Sequence, residues 1–284
     1  MRILLAPIIL QLLSIYNVAF TLTYAGFPSP DGPLKIAPVP WDSALLDFPV
    51  FEVDCVQTPL NALARHLPAW LSSLPKDRAA LVVAKIFPDA VAVAAALAQH
   101  GFYPVETMLE FELLLARLTL VIKRPSAHMQ LRMAAPADLA PVTLIAQSAF
   151  AADRFHLDPN VPRNKADLRY VHWIENSFRA GDPVFILEDT EQGEVIGFVQ
   201  ARETAPQTMD ITLGAVRKHL QNSGAGVLMY QELFMALRAR DFKRAITRVS
   251  INNLRGIKLT LRLGFTVREA TVALHWFRRG TKSD

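Results

Sequence analysis

The residues with the plainest chemical reading are Gln221-Asn222-Ser223-Gly224-Ala225-Gly226. Ile211 to Val216 before them reads as a short strand. Val227, Leu228, Phe234 and Leu237 after them fall at helical spacing, which predicts a helix starting near Gly224. Glycines at a strand-to-helix junction let backbone come close to a ligand, because no Cβ intervenes. The first turn of the helix adds free N–H groups and the positive end of its dipole, so the stretch is either a seat for phosphate or only a tight turn. Two phosphate loops are excluded. There is no Gly-x-x-x-x-Gly-Lys-Ser/Thr run, and Met229 stands where the third glycine of Gly-x-Gly-x-x-Gly belongs.

The elements that must position this loop continue downstream. Ile246 to Ile251 is β-rich, Asn252-Asn253 breaks it, Leu254 to Leu263 reads as a helix, and Gly264-Phe265 ends that helix before a strand running to Phe277. Gln221, Gly224 and Gly226 occupy the fixed positions of Gln/Arg-x-x-Gly-x-Gly/Ala, and Asn253 lies eleven residues before Gly264. The two motifs, in this order, resemble those of the GNAT acyltransferases. The resemblance implies an α/β (α+β) GNAT fold, a mixed central sheet flanked by helices, using acetyl-CoA or a related acyl-CoA as co-substrate. It implies that Gln221, Asn222, Ser223, Gly224, Ala225, Gly226 and Val227 hold the pyrophosphate. Leu213, Ala215 and Val216 would pair with the pantetheine arm, and a backbone N–H there would polarise the thioester carbonyl. Asn253 matches the pantetheine-contacting Asn; it also reads as the cap of the helix at Leu254.

One position departs from the family. Many members carry a Tyr four residues before the helix-ending Gly, as acid for the leaving thiolate, and here that position is Thr260. Either Thr260 works through water, or Tyr230 or His275 serves, or no side-chain acid is needed. Glu188 and Asp210 are candidate bases by strand position alone.

Composition sets outer bounds. With 51% hydrophobic and 20% charged residues, the chain has ample core for a globular protein. The lone cysteine, Cys55, excludes an internal disulfide, which suits a reducing compartment. The net charge of +4 comes without a long basic run, pointing to small anionic ligands and away from a nucleic-acid track. The seven histidines show no ligand spacing, so no metal is expected, and no Gly-x-Ser-x-Gly elbow occurs.

Residues 1–35 read as an apolar leader and proline-rich linker. After Arg2 no charge appears until Asp31, a pattern like a signal peptide that conflicts with supply of cytosolic acyl-CoA. A weakly membrane-anchoring or dispensable extension on a cytoplasmic protein is the expectation. Residues 36–125 are expected to form a smaller α/β domain and 126–284 the GNAT domain. The smaller domain carries an echo: helix, Gly101-Phe102, strand, as in helix, Gly264-Phe265, strand. It is either a degenerate GNAT-like module without the glycine loop or the common use of Gly as a helix cap. Glu191-Gln192-Gly193 is predicted to turn a hairpin between 183–189 and 194–202.

Trp41-Asp42-Ser43, Asp153 to Asn160 and Tyr170 to Ser177 further resemble a two-domain GNAT subgroup from surface-polysaccharide gene clusters, the TDP-fucosamine (TDP-4-amino-4,6-dideoxygalactose) N-acetyltransferases. That resemblance implies an amino-sugar acceptor linked to a nucleotide, and makes Arg154, Asp158 and Tyr170 substrate-binding candidates; a homodimer is compatible with it. A solvated loop and helix cap is the other reading of Asp153 to Asp158. Two functions stay open: an N-acetyltransferase on an amino sugar, with a protein or peptide acceptor as its variant, and a CoA-binding module without turnover.

Overall fold

The computed structural model describes residues 22–27, 33–118 and 127–281. Residues 1–21 of the expected leader, and 28–32 of the expected linker, lie outside them. Among the described residues no helix is long and apolar enough to cross a membrane. The elements run β1 (Ala25–Phe27), β2 (Leu34–Pro38), α1 (Pro40–Leu46), β3 (Val50–Val53), α2 (Leu60–Ser73), β4 (Ala80–Ile86), α3 (Val91–Gln99) and β5 (Tyr103–Leu114). There follow β6 (Met129–Met133), α4 (Leu139–Ala149), α5 (Arg154–Leu157), α6 (Arg163–Ala180), β7 (Val184–Asp189), β8 (Glu194–Ala205) and β9 (Thr208–Val216). Then come α7 (Ala225–Arg238), β10 (Arg244–Ser250), α8 (Leu254–Arg262) and β11 (Thr266–Arg278). This is the mixed α/β architecture that the motifs implied.

Two compact units form. Of the described residues, the glycine-loop unit holds 109–118, 127–151 and 167–269; the other holds 22–27, 33–108, 152–166 and 270–281. In the glycine-loop unit the strand order is β5-β10-β9-β8-β7-β6. Strands β6 to β9 form an antiparallel meander. The hairpin between β7 and β8 turns at Gly193, whose φ of 66° is the left-handed conformation a glycine adopts without penalty. Strands β9 and β10 are parallel, so the chain must cross over between them, and α7 is that crossover. Its Leu228, Met229, Leu233, Phe234 and Leu237 are buried with Met209, Ile211, Phe185 and Phe111 in one core. Phe234 is fully buried, which stabilises by roughly 1.5–3 kcal/mol. The opposite face of the sheet packs Phe198, Ile186 and Leu213 against α4 and α6.

The other unit repeats the plan. Strands β3 and β4 are parallel with α2 as the crossover, and β11 runs antiparallel beside β4. The sequence β3-α2-β4-α3-β5 thus parallels β9-α7-β10-α8-β11. Both repeats end their second helix at a left-handed glycine, Gly101 (φ 86°) and Gly264 (φ 90°), followed by a buried Phe102 or Phe265. The closing strands are exchanged. The strand beside β10 is β5, and the strand beside β4 is β11, so each unit takes its closing strand from the other half of the sequence. In this unit Pro59 removes one donor at the head of α2, and the Asp54 side chain accepts the N–H groups of Val56 and Gln57. The turn after β3 is therefore closed upon itself, with no glycine seat.

Candidate active site: an open strand pair and a glycine loop

The parallel ladder between β9 and β10 ends at Ile211 with Thr247. Strand β9 goes on to Val216, still paired with β8 as far as Gly197. From Thr212 to Val216 the edge of β9 that faces β10 has therefore lost its partner. A bulge sits at the same place: Gln200 opposes Leu213 and Ala201 opposes Ile211, leaving Thr212 extra. A bulge shifts the alternation of side chains by one. Met209 and Ile211 face the α7 core, whereas Leu213, two residues on, faces α4 and α6. Bulge and divergence together make a slot along β9. The Arg217 N–H bonds the Ile196 carbonyl of β8, so by the alternation of an antiparallel pair the backbone groups of Leu213 and Ala215 turn to β8, and those of Gly214 and Val216 turn to the slot.

The glycine loop closes one end of that slot. A 3₁₀ turn at Lys218–Leu220 leads into it, Asn222 has φ 71° and Gly224 φ 94°. The first helical bond of α7 runs from the Leu228 N–H to the Gly224 carbonyl. The N–H groups of Ala225, Gly226 and Val227 precede it and project from the helix start. Ala225 donates to Ser223 Oγ at 3.2 Å, which tightens the turn. A Cβ on Gly226 would meet Leu259 and Val216 only at 3.7 and 3.9 Å. Arg255 of α8 reaches across, its Nη1 donating to Gln221 Oε1 at 2.7 Å. Asn253 caps α8, its Oδ1 accepting the Gly256 N–H at 2.9 Å. The reading of Asn253 as a cap therefore holds, with its amide nitrogen not used in the cap.

The candidate acid and base groups sit in different settings. Thr260 is buried, and its hydroxyl donates to the Gly256 carbonyl of its own helix at 2.8 Å. Tyr230, on α7, packs against Phe234 and directs its hydroxyl at Gly214 of β9. Glu188 is tied to Arg132 at 2.6 Å, and Arg132 also holds Asp138. Asp210 is buried on the sheet face opposite α7, one residue before the last rung of the parallel ladder. Burial raises its carboxyl above the usual range, and Arg248 at 3.1 Å opposes that. Arg248 in turn bonds Glu110 at 2.7 Å. Sequence reasoning missed Arg248 and Glu110. No local signal could have found them, because Arg248 reaches Asp210 from β10 and Glu110 reaches Arg248 from β5.

The three substrate candidates are divided. Tyr170 belongs to the glycine-loop unit, where it is buried and stacked on Phe150 at 4.3 Å. Arg154 and Asp158 belong to the other unit, where the Arg154 guanidinium lies 4.9 Å from the Phe155 ring centre. Asp158 is buried, accepting from the Tyr103 hydroxyl at 3.0 Å and from the Asn160 N–H at 2.8 Å, with His275 Nδ1 at 2.7 Å. Burial lowers the His275 imidazole below its ordinary range. Among the described residues no group of three or more His, Cys, Asp or Glu could hold a metal ion.

Residues 149–265 match the acetyltransferase (GNAT) family. No curated protein matches the chain. Among solved structures, the GCN5-related N-acetyltransferase from Sphaerobacter thermophilus superposes with a TM-score of 0.63 at 17% identity, over 89% of this chain and 80% of that one. A tandem GNAT protein from the clavulanic acid biosynthesis pathway gives 0.57 at 15% identity, over 90% and 82%. The GCN5-related N-acetyltransferase from Kribbella flavida gives 0.52 at 14%, over 80% and 81%. At these identities the likeness is one of fold.

Proposed function

We propose that this chain, a GNAT-fold protein whose residues 149–265 are those of a GNAT acetyltransferase, transfers acetyl from acetyl-CoA to the amine of a nucleotide-linked amino sugar, by direct attack in a ternary complex. The observation that carries the reading is the coincidence of the β9–β10 opening with the glycine loop at its end. The residues present fit acyl-CoA. The Gly226 and Val227 N–H groups at the head of α7 suit the pyrophosphate, and the open edge of β9, to which Gly214 and Val216 turn their backbone groups, suits the amides of a pantetheine arm. When bound, acetyl-CoA supplies an acyl group already activated as a thioester. Asp210, with its carboxyl held above the usual range, takes the proton that the amine must lose.

The amino-sugar acceptor rests on the resemblance of Trp41-Asp42-Ser43, Asp153 to Asn160 and Tyr170 to Ser177 to the polysaccharide subgroup. A CoA-binding module without turnover is the second reading. The commitment of the Thr260 hydroxyl to Gly256 favours it, because the family's usual acid position is then silent. Mass spectrometry of acetyl transfer to a panel of free amino sugars, nucleotide-linked amino sugars and peptides separates these readings. Nucleotide-linked amino sugars are expected to be acetylated fastest. Transfer to peptides alone would replace the acceptor, and binding of acetyl-CoA with no transfer to any amine would establish the second reading.

A further inference from the structure

Gly214 lies three residues into the open segment of β9, past the last rung at Ile211. A Cβ there would stand 2.0 Å from the Tyr230 hydroxyl oxygen and 2.9 Å from the ring carbon that carries it. The hydroxyl thus occupies the space of the missing side chain, directly against the backbone of the slot. Any other residue at 214 would push it out. Among the described residues nothing accepts from or donates to this hydroxyl, and burial alone pushes its pKa up to about 12. A phenol so placed stays protonated throughout the neutral range and has a hydrogen bond to give. Thr260, at the position where the family carries its phenol, has already given its own to Gly256.

We infer that Tyr230 is a catalytic residue, the hydrogen-bond donor that α7 brings to the carbonyl oxygen of the bound thioester. The inference rests on the acyl-CoA reading above. In the reaction the acceptor nitrogen forms a bond to the acyl carbon and the carbon–sulfur bond breaks. The proton that leaves the nitrogen goes to Asp210, and the departing thiolate takes one from solvent, to which Asp210 returns its own. Tyr230 keeps its proton, because its role is to stabilise the negative charge that builds on oxygen between the two events. Removing one such donor costs about 10²–10³ in rate where it has been measured. A phenol with raised pKa suits that role better than proton donation to a thiolate, whose thiol titrates near 8.5.

The test is isotope-edited infrared spectroscopy of acetyl-CoA labelled with ¹³C at the carbonyl, bound to the full chain and to Tyr230→Phe. Calorimetric binding of acetyl-CoA to the unsubstituted chain comes first; its absence would count against the acyltransferase reading itself. The carbonyl band is expected at lower wavenumber in the unsubstituted protein, and Tyr230→Phe is expected to return it towards the free value with acetyl-CoA still bound. With the fastest amine of the panel, kcat is expected to fall about a hundredfold or more. Gly214→Ala, which displaces the hydroxyl and leaves it in the protein, is expected to move the band in the same direction. An unmoved band in Tyr230→Phe, or an undiminished kcat, overturns the assignment.

Discussion

Thr260 and Asp210 show what single positions could and could not reveal. The departure from tyrosine at 260 was legible in the sequence, but the fate of the hydroxyl was not, because a Thr in a helix either faces a ligand or bonds its own turn. Here it bonds Gly256, and the residue is buried. Thr260→Ala should therefore cost less than about tenfold in kcat, under ~1.4 kcal/mol. Steady-state kinetics of Thr260→Ala and Thr260→Ser would contradict this if only Ala lost a hundredfold or more. Asp210 was legible as a strand carboxylate, yet its partner Arg248 comes from β10, and Glu110, which shares that arginine, from β5. Its carboxyl titrates above the ordinary 3.8 in the folded state. Between those two values the native state binds more protons than the unfolded one. Its contribution to stability is thus full below the ordinary value and is lost as pH rises through the native one. Asp210→Asn should flatten that part of the stability profile, read by denaturant unfolding between about pH 4 and pH 8. The same substitution should remove an acid limb from the profile of kcat/KM, which rises with pH as Asp210 ionises. Retention of both pH dependences in the variant would show that another group titrates.

At the scale of elements, local pattern was enough for β9, α7, β10 and α8, because each is announced by glycine, asparagine or an apolar period. The hairpin at Gly193 and the helix end at Gly264 follow from the same chemistry. The bulge at Thr212 was not legible: nothing in Ile211-Thr212-Leu213 breaks the alternation, and only the register against β8 exposes it. The segment Asp153 to Asn160 reads in sequence as a loop with a cap. Asp153 does cap the short α5, accepting from the Phe155 N–H at 2.8 Å. Asp158, however, turns inward to a histidine 117 residues away, a pairing that no local reading predicts. The partner of β10 is equally distant in sequence. Strand β5 supplies Phe111 and Leu113, and the turn after it Leu115, all buried in the glycine-loop core. Their loss removes roughly 1.5–3 kcal/mol each, comparable with the ~5–15 kcal/mol that holds a domain folded. A chain of residues 126–284 alone should therefore fail to fold cooperatively, and one beginning at residue 33 should retain a single unfolding transition. A sharp thermal transition and acetyl-CoA binding by the shorter piece would refute the role given to β5.

For the whole molecule, two repeats of one plan share the chain but not the chemistry. The turn after β3 is closed by Asp54 and Pro59, whereas the turn after β9 is opened by Gly224 and Gly226. The proposed ligand seat accordingly lies at the N-terminus of α7. Gly226 is the place to test it. Gly224 needs its φ of 94°, so a side chain there would strain the backbone as well as the seat. A Cβ on Gly226 meets neighbours no closer than 3.7 Å, which leaves charge and bulk at the seat as the main effects. A carboxylate about 4 Å from a phosphate, at an effective dielectric of ~20, opposes it by ~4 kcal/mol. The decisive measurement is isothermal calorimetry of acetyl-CoA with the full chain and with Gly226→Glu, after thermal unfolding has shown the two equally folded. Binding to the unsubstituted chain is expected, with an affinity at least ~100-fold weaker in the variant. Equal affinity in the two proteins would place the ligand elsewhere and contradict it.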